Sequence, residues 1–142
     1  MTTVQQIYDM AIHLMDEQNE STGETLTVDT KEYQFRTISI LNSVIPVLWP
    51  YSGTYKAKDT GRSAPRMLSS DDYENPDFGQ GIPLDDTLSL TLLPLYLAAQ
   101  LLSAENESLS AWFMNRYREN FMEVRGKLPG SFERISMPYG TF

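Results

Sequence analysis

Apolar residues recur at three- and four-residue intervals along most of this chain, the period of amphipathic helices. Val4, Ile7, Tyr8, Ala11, Leu14 and Met15 form the first stripe. Thr3-Val4-Gln5-Gln6 opens it with the spacing of a capping box, a hydroxyl followed three residues later by glutamine. The helix should stop near Gln18, because Asn19-Glu20-Ser21-Thr22-Gly23 is a run of loop formers. Tyr33, Thr37, Ile38, Leu41, Val44, Ile45 and Leu48 form a second stripe, with Asp29 placed to cap it and Glu32 three residues on. Pro46 should kink or end its last turn, since proline lacks the N–H that helix needs. Ile38, Ile40, Val44, Ile45 and Val47 are β-branched and would suit a strand. The length of the segment and its cap favour helix.

A third element begins at Leu84-Asp85-Asp86, with acids where a helix N-terminus favours them. Leu88, Leu92, Leu95, Tyr96, Ala99 and Leu102 share one face, while Leu90, Leu93, Leu97, Ala98 and Leu101 make the segment apolar nearly all round. A helix of that kind is enclosed on several sides, and this one is expected at the centre of the core. Pro94 predicts either one kinked helix or two joined there. Glu105-Asn106-Glu107-Ser108 can cap a last helix, whose stripe is Leu109, Phe113, Tyr117, Phe121, Val124 and Leu128. Pro129-Gly130 ends it.

Two stretches lack this period. Residues 50–83 hold Gly53, Gly61, Pro65, Asn75-Pro76, Gly79 and Gly81, with few large aliphatic side chains beyond Met67 and Leu68. They are expected to form a long irregular excursion, with a short hairpin around residues 54–68, that becomes ordered against a partner. Residues 131–142 contain Pro138 and Gly140 and predict an extended C-terminal arm. The expected fold is therefore one all-α domain over residues 1–142, a bundle of about four helices with an excursion and an arm.

Composition narrows the function. The chain has 142 residues, room for one domain with a real core. It has no cysteine, which excludes disulfides, thiol catalysis and cysteine-ligated zinc. The N-terminus lacks the basic start and apolar run of a signal peptide, and residues 88–102 are too short and too polar to span a bilayer, so a soluble protein is expected. The net charge is -8, and acids interrupt the only mildly basic stretches, at residues 56–66 and 116–125. Direct nucleic-acid binding needs clustered Lys and Arg and is not expected.

The candidate chemistry is thin. Asp59-Thr60-Gly61 matches the tripeptide of aspartic proteases, but Lys56-Ala57-Lys58 precedes it instead of a hydrophobic strand, and a second copy would have to come from a dimer. His13, the sole histidine, has Asp9, Asp16 and Glu17 a turn away, a spacing that suits either a metal or a polar helix face. Gly79-Gln80-Gly81 lacks the third glycine and the preceding strand of a nucleotide loop. Asn19-Glu20-Ser21 and Asn106-Glu107-Ser108 match the glycosylation pattern and serve more simply as loops and caps. No catalytic residue, metal site or cofactor is assigned. The aromatics carry more: Trp49, Tyr51 and Tyr55 sit where a helix meets the excursion, and Phe132, Ile135, Met137, Tyr139 and Phe142 lie on the arm. They either fold back on the core or anchor contacts with other proteins.

The second half of the chain resembles a known family. Leu84-Asp85-Asp86-Thr87-Leu88, the run Leu93-Pro94-Leu95-Tyr96-Leu97-Ala98-Ala99-Gln100-Leu101-Leu102, Glu105-Asn106, and Trp112-Phe113-Met114-Asn115-Arg116-Tyr117 are similar to the "LDD…LP-x-x-LAA-x-LL…EN…F-x-x-R-Y" run of head–tail connector, or neck, proteins of tailed bacteriophages and prophages. Ile7-Tyr8-Asp9-Met10-Ala11 and Ile40-Leu41-Asn42 also fit that pattern. The likeness leaves out residues 50–83 and the arm. It implies a helical structural subunit that joins a ring of copies beneath the portal and offers a platform to tail or neck proteins. It also implies host cytoplasm during assembly and the virion neck afterwards. The alternative is a non-viral helical protein–protein interaction module, and the least supported is an enzyme built on Asp59.

Overall fold

The computed structural model describes residues 1–17, 19–53, 67–70 and 75–127. The fold is all-α. Among the described residues the helices are α1 (Val4–Met15), α2 (Lys31–Leu48), α3 (Asp86–Leu101) and α4 (Glu107–Lys127), with short 3-10 turns at Val28–Thr30 and Trp49–Tyr51. Among the described residues no strand forms, and the only pairing of that type is an antiparallel bridge between Thr3 and Gly81.

The capping box foreseen for α1 is present. Gln6 N–H donates to Thr3 Oγ1 at 3.3 Å, and Thr3 N–H donates to Gln6 Oε1 at 2.9 Å. The helix ends at Met15, where Asp16 adopts a left-handed conformation at φ 60°, a turn that aspartate tolerates. Its buried stripe is Val4, Ile7, Tyr8, Ala11, Ile12 and Met15, whereas Leu14 is exposed. Helical geometry explains the exchange. Each residue turns by about 100°, so Leu14 points about 100° away from its buried neighbour Met15, while Ile12 stays near the edge of the stripe.

In α2 the expected stripe is buried throughout: Tyr33, Thr37, Ile38, Leu41, Val44, Ile45 and Leu48, with Gln34 added. Its entry differs from expectation. Asp29 does not cap it; the chain enters through the 3-10 turn, where Thr27 N–H donates to Thr30 Oγ1 at 3.0 Å. Gln34 Nε2 then donates to both the Thr27 carbonyl and Thr30 Oγ1, fixing the turn from inside. Pro46 does not end the helix, which runs on to Leu48.

Helix α3 is the centre of the core, as its composition predicts. It packs against α1, α2 and α4, and buries Leu88, Leu92, Leu93, Leu97, Ala98, Ala99 and Leu101. It passes through Pro94 as a single helix. Proline at that position leaves the Leu90 carbonyl without its helical donor, and Leu90 lies on the exposed side where water can reach it. Side chains from two other helices satisfy its C-terminal carbonyls. Arg36 Nη2 and Nη1 donate to Gln100 and Leu101 at 3.0 and 3.3 Å, and Ser110 Oγ donates to Ala99 at 2.7 Å. An arginine at a helix C-terminus is favoured by the helix dipole as well. Asn106 caps α4 by accepting from Leu109 N–H at 3.0 Å; of the expected stripe Phe113 and Val124 are buried, and Leu109, Tyr117 and Phe121 are partly buried against the core.

The described part of residues 50–83 is not an excursion: Leu68, Phe78 and Ile82 are core residues. The reason is hydrogen bonding at the start of α1, whose first N–H groups have no helical acceptor. Val4 N–H donates to Gln80 O at 3.0 Å, Gln5 N–H to Phe78 O at 2.8 Å, and Ile82 N–H to Thr2 O at 2.8 Å. These bonds lay residues 78–82 along the N-terminus of α1 and bring the Phe78 ring within 4.9 Å of Tyr8. The hairpin expected around residues 54–68 and the arm at 131–142 lie outside the described residues, apart from Met67 and Leu68.

Candidate functional site

Trp49 and Tyr51 do not stand free as contact anchors. The 3-10 turn after α2 folds the chain back over α4, leaving Trp49 only 5% exposed. Tyr51 meets Phe121 edge-on at 5.5 Å, and the Arg125 guanidinium lies 5.9 Å over its ring. Apolar area and ring contacts are available on the same molecule, so these aromatics are used internally. The row continues with Phe121 stacked at 6.3 Å on Tyr117, itself 5.2 Å from Tyr96. Burial, and then the neighbouring Tyr96, push the Tyr117 hydroxyl up to about 12. Tyr55, Phe132, Ile135, Met137, Tyr139 and Phe142 lie outside the described residues.

Among the described residues the aromatic left exposed is Trp112, which no helical stripe singles out. Trp112 is 54% exposed on the outer face of α4, and Met122 on the same side is 63% exposed. Adjacent residues in a helix point about 100° apart, so burying Phe113 turns Trp112 outward. The stripe Leu109, Phe113, Tyr117, Phe121 carries that information, since Trp112 is not on it. The Trp112 ring touches Phe113 edge-on at 5.1 Å and has the Arg116 guanidinium 5.9 Å above it. Arg116 also pairs with Glu119 at 3.7 Å. Tryptophan and arginine are, with tyrosine, the residue types enriched at the energetic centres of protein interfaces.

On the far side of the bundle an open groove of about 500 Å³ runs between α1 and the following loop, lined by Gln5, Asp9 and His13 on one wall and by residues 23–26 on the other. The Asp9 carboxylate is fixed there by Gln5 Nε2 at 2.7 Å and Thr25 Oγ1 at 2.6 Å. The loop is anchored from below, because Tyr8 Oη and Thr30 Oγ1 both donate to the Thr25 carbonyl, at 2.9 and 2.8 Å. Burial raises the Tyr8 hydroxyl above its ordinary value. Glu24 lines the groove as a second acid, and no Lys or Arg does.

A short distance away Tyr33 Oη donates to Glu105 at 2.7 Å. Burial and then Glu105 drive that hydroxyl strongly upward. Glu17 is also raised, first by burial and then by Glu105 and Asp16. This gathering of acids holds no metal geometry: among the described residues no group of three or more His, Cys, Asp or Glu is placed to hold an ion. Asp59 lies outside the described residues.

Gly79-Gln80-Gly81 serves the fold. In a phosphate loop the free N–H groups of a helix N-terminus face the anion. Here the Phe78 and Gln80 carbonyls already occupy the first N–H groups of α1. Among the described residues, no helix is long and apolar enough to cross a membrane. No family model, curated protein or solved structure matches the chain.

Proposed function

We propose that this chain is a structural assembly protein of a phage neck: a head–tail connector subunit that joins a ring beneath the portal and offers a platform for the tail. What carries the reading is the run of residues 84–117 that resembles such proteins, together with the work those residues do here. Leu84, Leu88, Leu93, Leu97 and Phe113 are core residues. Asp86 accepts from Thr2, Glu105 from Tyr33, and Asn106 caps α4. The run thus specifies a scaffold of two packed helices, and a scaffold with exposed anchors suits assembly better than catalysis.

On this reading the partners are copies of itself, the portal, and tail or neck proteins, with neither nucleic acid nor membrane bound directly. It is made and assembled in the host cytoplasm and ends in the virion neck. Co-purification with assembled portal protein tests it. Retention on portal rings, and not on an unrelated ring assembly, is expected. Failure to bind assembled portal returns the chain to the class of helical interaction modules unrelated to virions, and a gene neighbourhood without capsid, portal or terminase genes points the same way.

A further inference from the structure

We propose that residues 67–70 fill a peptide-binding site of this chain as an internal ligand, and that an extended segment of a partner protein, carrying leucine followed by a small residue, takes their place. The receptor side is built from two other parts of the fold. Asn42 projects from α2, with the buried Ile38 and Ile45 one turn to either side. Gln80 belongs to the segment laid along the start of α1, where its own carbonyl accepts from Val4 N–H. Each amide makes both backbone hydrogen bonds of one residue. Asn42 makes those of Leu68, at 2.9 and 3.0 Å, and Gln80 those of Ser69, at 2.6 and 2.9 Å. Extended peptides docked on a sheet edge are read by the same division of labour, main-chain bonds for affinity and a side-chain pocket for specificity. Here the pocket holds the Leu68 side chain, only 5% exposed and part of the core cluster.

The receptor stands without the strap. Gln80 Nε2 is held by the Asp77 carbonyl at 2.9 Å as well, and Asn42 is carried by a long helix. The strap does not stand without the receptor. Among the described residues, the hydrogen bonds to Leu68 and Ser69 come from the side chains of Asn42 and Gln80 alone. Met67, Ser69 and Ser70 are exposed, so Leu68 is the one anchor that the strap sets in the core. Main-chain bonds do not distinguish this backbone from another. Selection therefore falls on the pocket, which takes leucine, and on the next position, where a small side chain lets Gln80 reach the backbone. The inference does not depend on the neck reading.

The probe is a blocked peptide with the sequence of residues 65–72, fluorescently labelled and titrated by anisotropy to about 1 mM, the range of weak contacts. In the unaltered chain the strap already fills the site, so the probe should bind at least about tenfold more weakly than to a chain whose strap is disabled. Leu68→Asp disables it by placing a charge on the anchor. Leu68→Ala is the milder variant, used where the first departs from the parent's circular dichroism. Each folded variant should bind the probe saturably. Adding Asn42→Ala should weaken that binding by about tenfold, since it removes two hydrogen bonds to the peptide's leucine. A probe with aspartate in place of leucine should not bind.

The site is overturned if neither Leu68 variant binds the probe, or if the unaltered chain binds it as tightly as they do, which would place the peptide elsewhere. Affinity unchanged by Asn42→Ala, or by aspartate in the probe, would overturn it as well. No portal enters the test, so these results would leave the neck reading standing and remove only the peptide site.

Discussion

The side-chain amide of Asn42 on α2 makes both backbone hydrogen bonds of Leu68. Its Nδ2 donates to the Leu68 carbonyl at 3.0 Å, and the Leu68 N–H donates to its Oδ1 at 2.9 Å. The next residue is held the same way, because Gln80 Oε1 accepts from Ser69 N–H at 2.6 Å and its Nε2 donates to Ser69 O at 2.9 Å. Two amide side chains thus do for residues 68 and 69 what a neighbouring strand does in a sheet. Asn42→Ala should cost about 2 kcal/mol, since it removes two bonds and leaves a partly buried N–H and C=O unpaired. Leu68→Ala should cost about 2–4 kcal/mol through the cavity it leaves. Because the amide serves only to seat that leucine, urea denaturation of the double variant should show less than the sum of the two.

This clasp also marks where sequence reasoning stops. The stripe of α2 was legible residue by residue, because helical period and burial carry the same information when an element is long; for α3 the sequence showed enclosure on several sides but not the face, since Leu95 and Tyr96 of the expected stripe are only partly buried while Leu93, Leu97, Ala98 and Leu101 are buried. The cap of α1 was legible for a similar reason, being a local pattern of four residues. Leu68, Phe78 and Ile82 were not: each is an isolated apolar residue among turn formers, with no period to betray it. Their burial is decided by partners distant in sequence, Asn42 for one and the open N-terminus of α1 for the others. Among the aromatics, Trp49 and Tyr51 were legible as large apolar groups but not as internal ones. Which rings turn inward depends on α4 lying beside the end of α2. Trp112 could have been found, since it departs from the stripe of its own helix.

Acid titration should separate two carboxylates of opposite sign. Hydrogen bonding from the Thr2 hydroxyl is the main cause holding Asp86 below its ordinary value near 3.8, despite some desolvation. A depressed folded-state pKa means stability that is present above the unfolded value and lost as the pH falls through the folded one. Glu17 is raised by burial and by Glu105, so it favours the folded state only when protonated, and that gain is lost as the pH rises through its folded pKa. Asp86→Asn should therefore flatten the loss of stability below pH ~4, where carboxylates of ordinary pKa protonate. Glu17→Gln should raise stability at neutral pH and make little difference in acid. Denaturant midpoints measured from pH 2.5 to 7 would check both, and an unchanged acid limb in Asp86→Asn would remove that residue from the account.

The alkaline limb belongs to the tyrosines. Tyr117 is pushed up to about 12, mainly by burial, and Tyr33 is raised further by burial and its bond to Glu105. A raised folded-state pKa gives stability that is complete below the unfolded value, about 10 for tyrosine, and lost as the pH climbs through the folded one. The loss should therefore set in above pH ~10 for both groups and be complete for Tyr117 near 12. Tyr117→Phe keeps the ring contacts with Tyr96 and Phe121 and should shift the onset of alkaline unfolding upward. Tyr33→Phe should do so less cleanly, because it also leaves Glu105 without its phenolic donor at neutral pH. Absorbance at the phenolate band, followed alongside circular dichroism, distinguishes ionisation from unfolding.

The two helix-interior prolines should answer differently to removal. Pro46 is exposed on α2, and its missing N–H leaves the Asn42 carbonyl without a helical donor. Replacing it with alanine restores that donor, removes the ring's clash with the preceding turn and opens no cavity. Against this stands the extra freedom alanine gives the unfolded chain, worth under about 1 kcal/mol. Pro46→Ala should therefore stabilise by about 1–2 kcal/mol, the balance of these terms. Pro94 is buried on α3. There the ring fills space against neighbouring helices, and the carbonyl it strands, that of Leu90, lies on the exposed side. Restoring the N–H gains less, while trimming the ring leaves a void in a closely packed core. Pro94→Ala should be neutral or destabilising. Thermal melts of the two variants would settle the comparison. Equal stabilisation by both would mean that α3 carries strain at Pro94 that its burial does not offset.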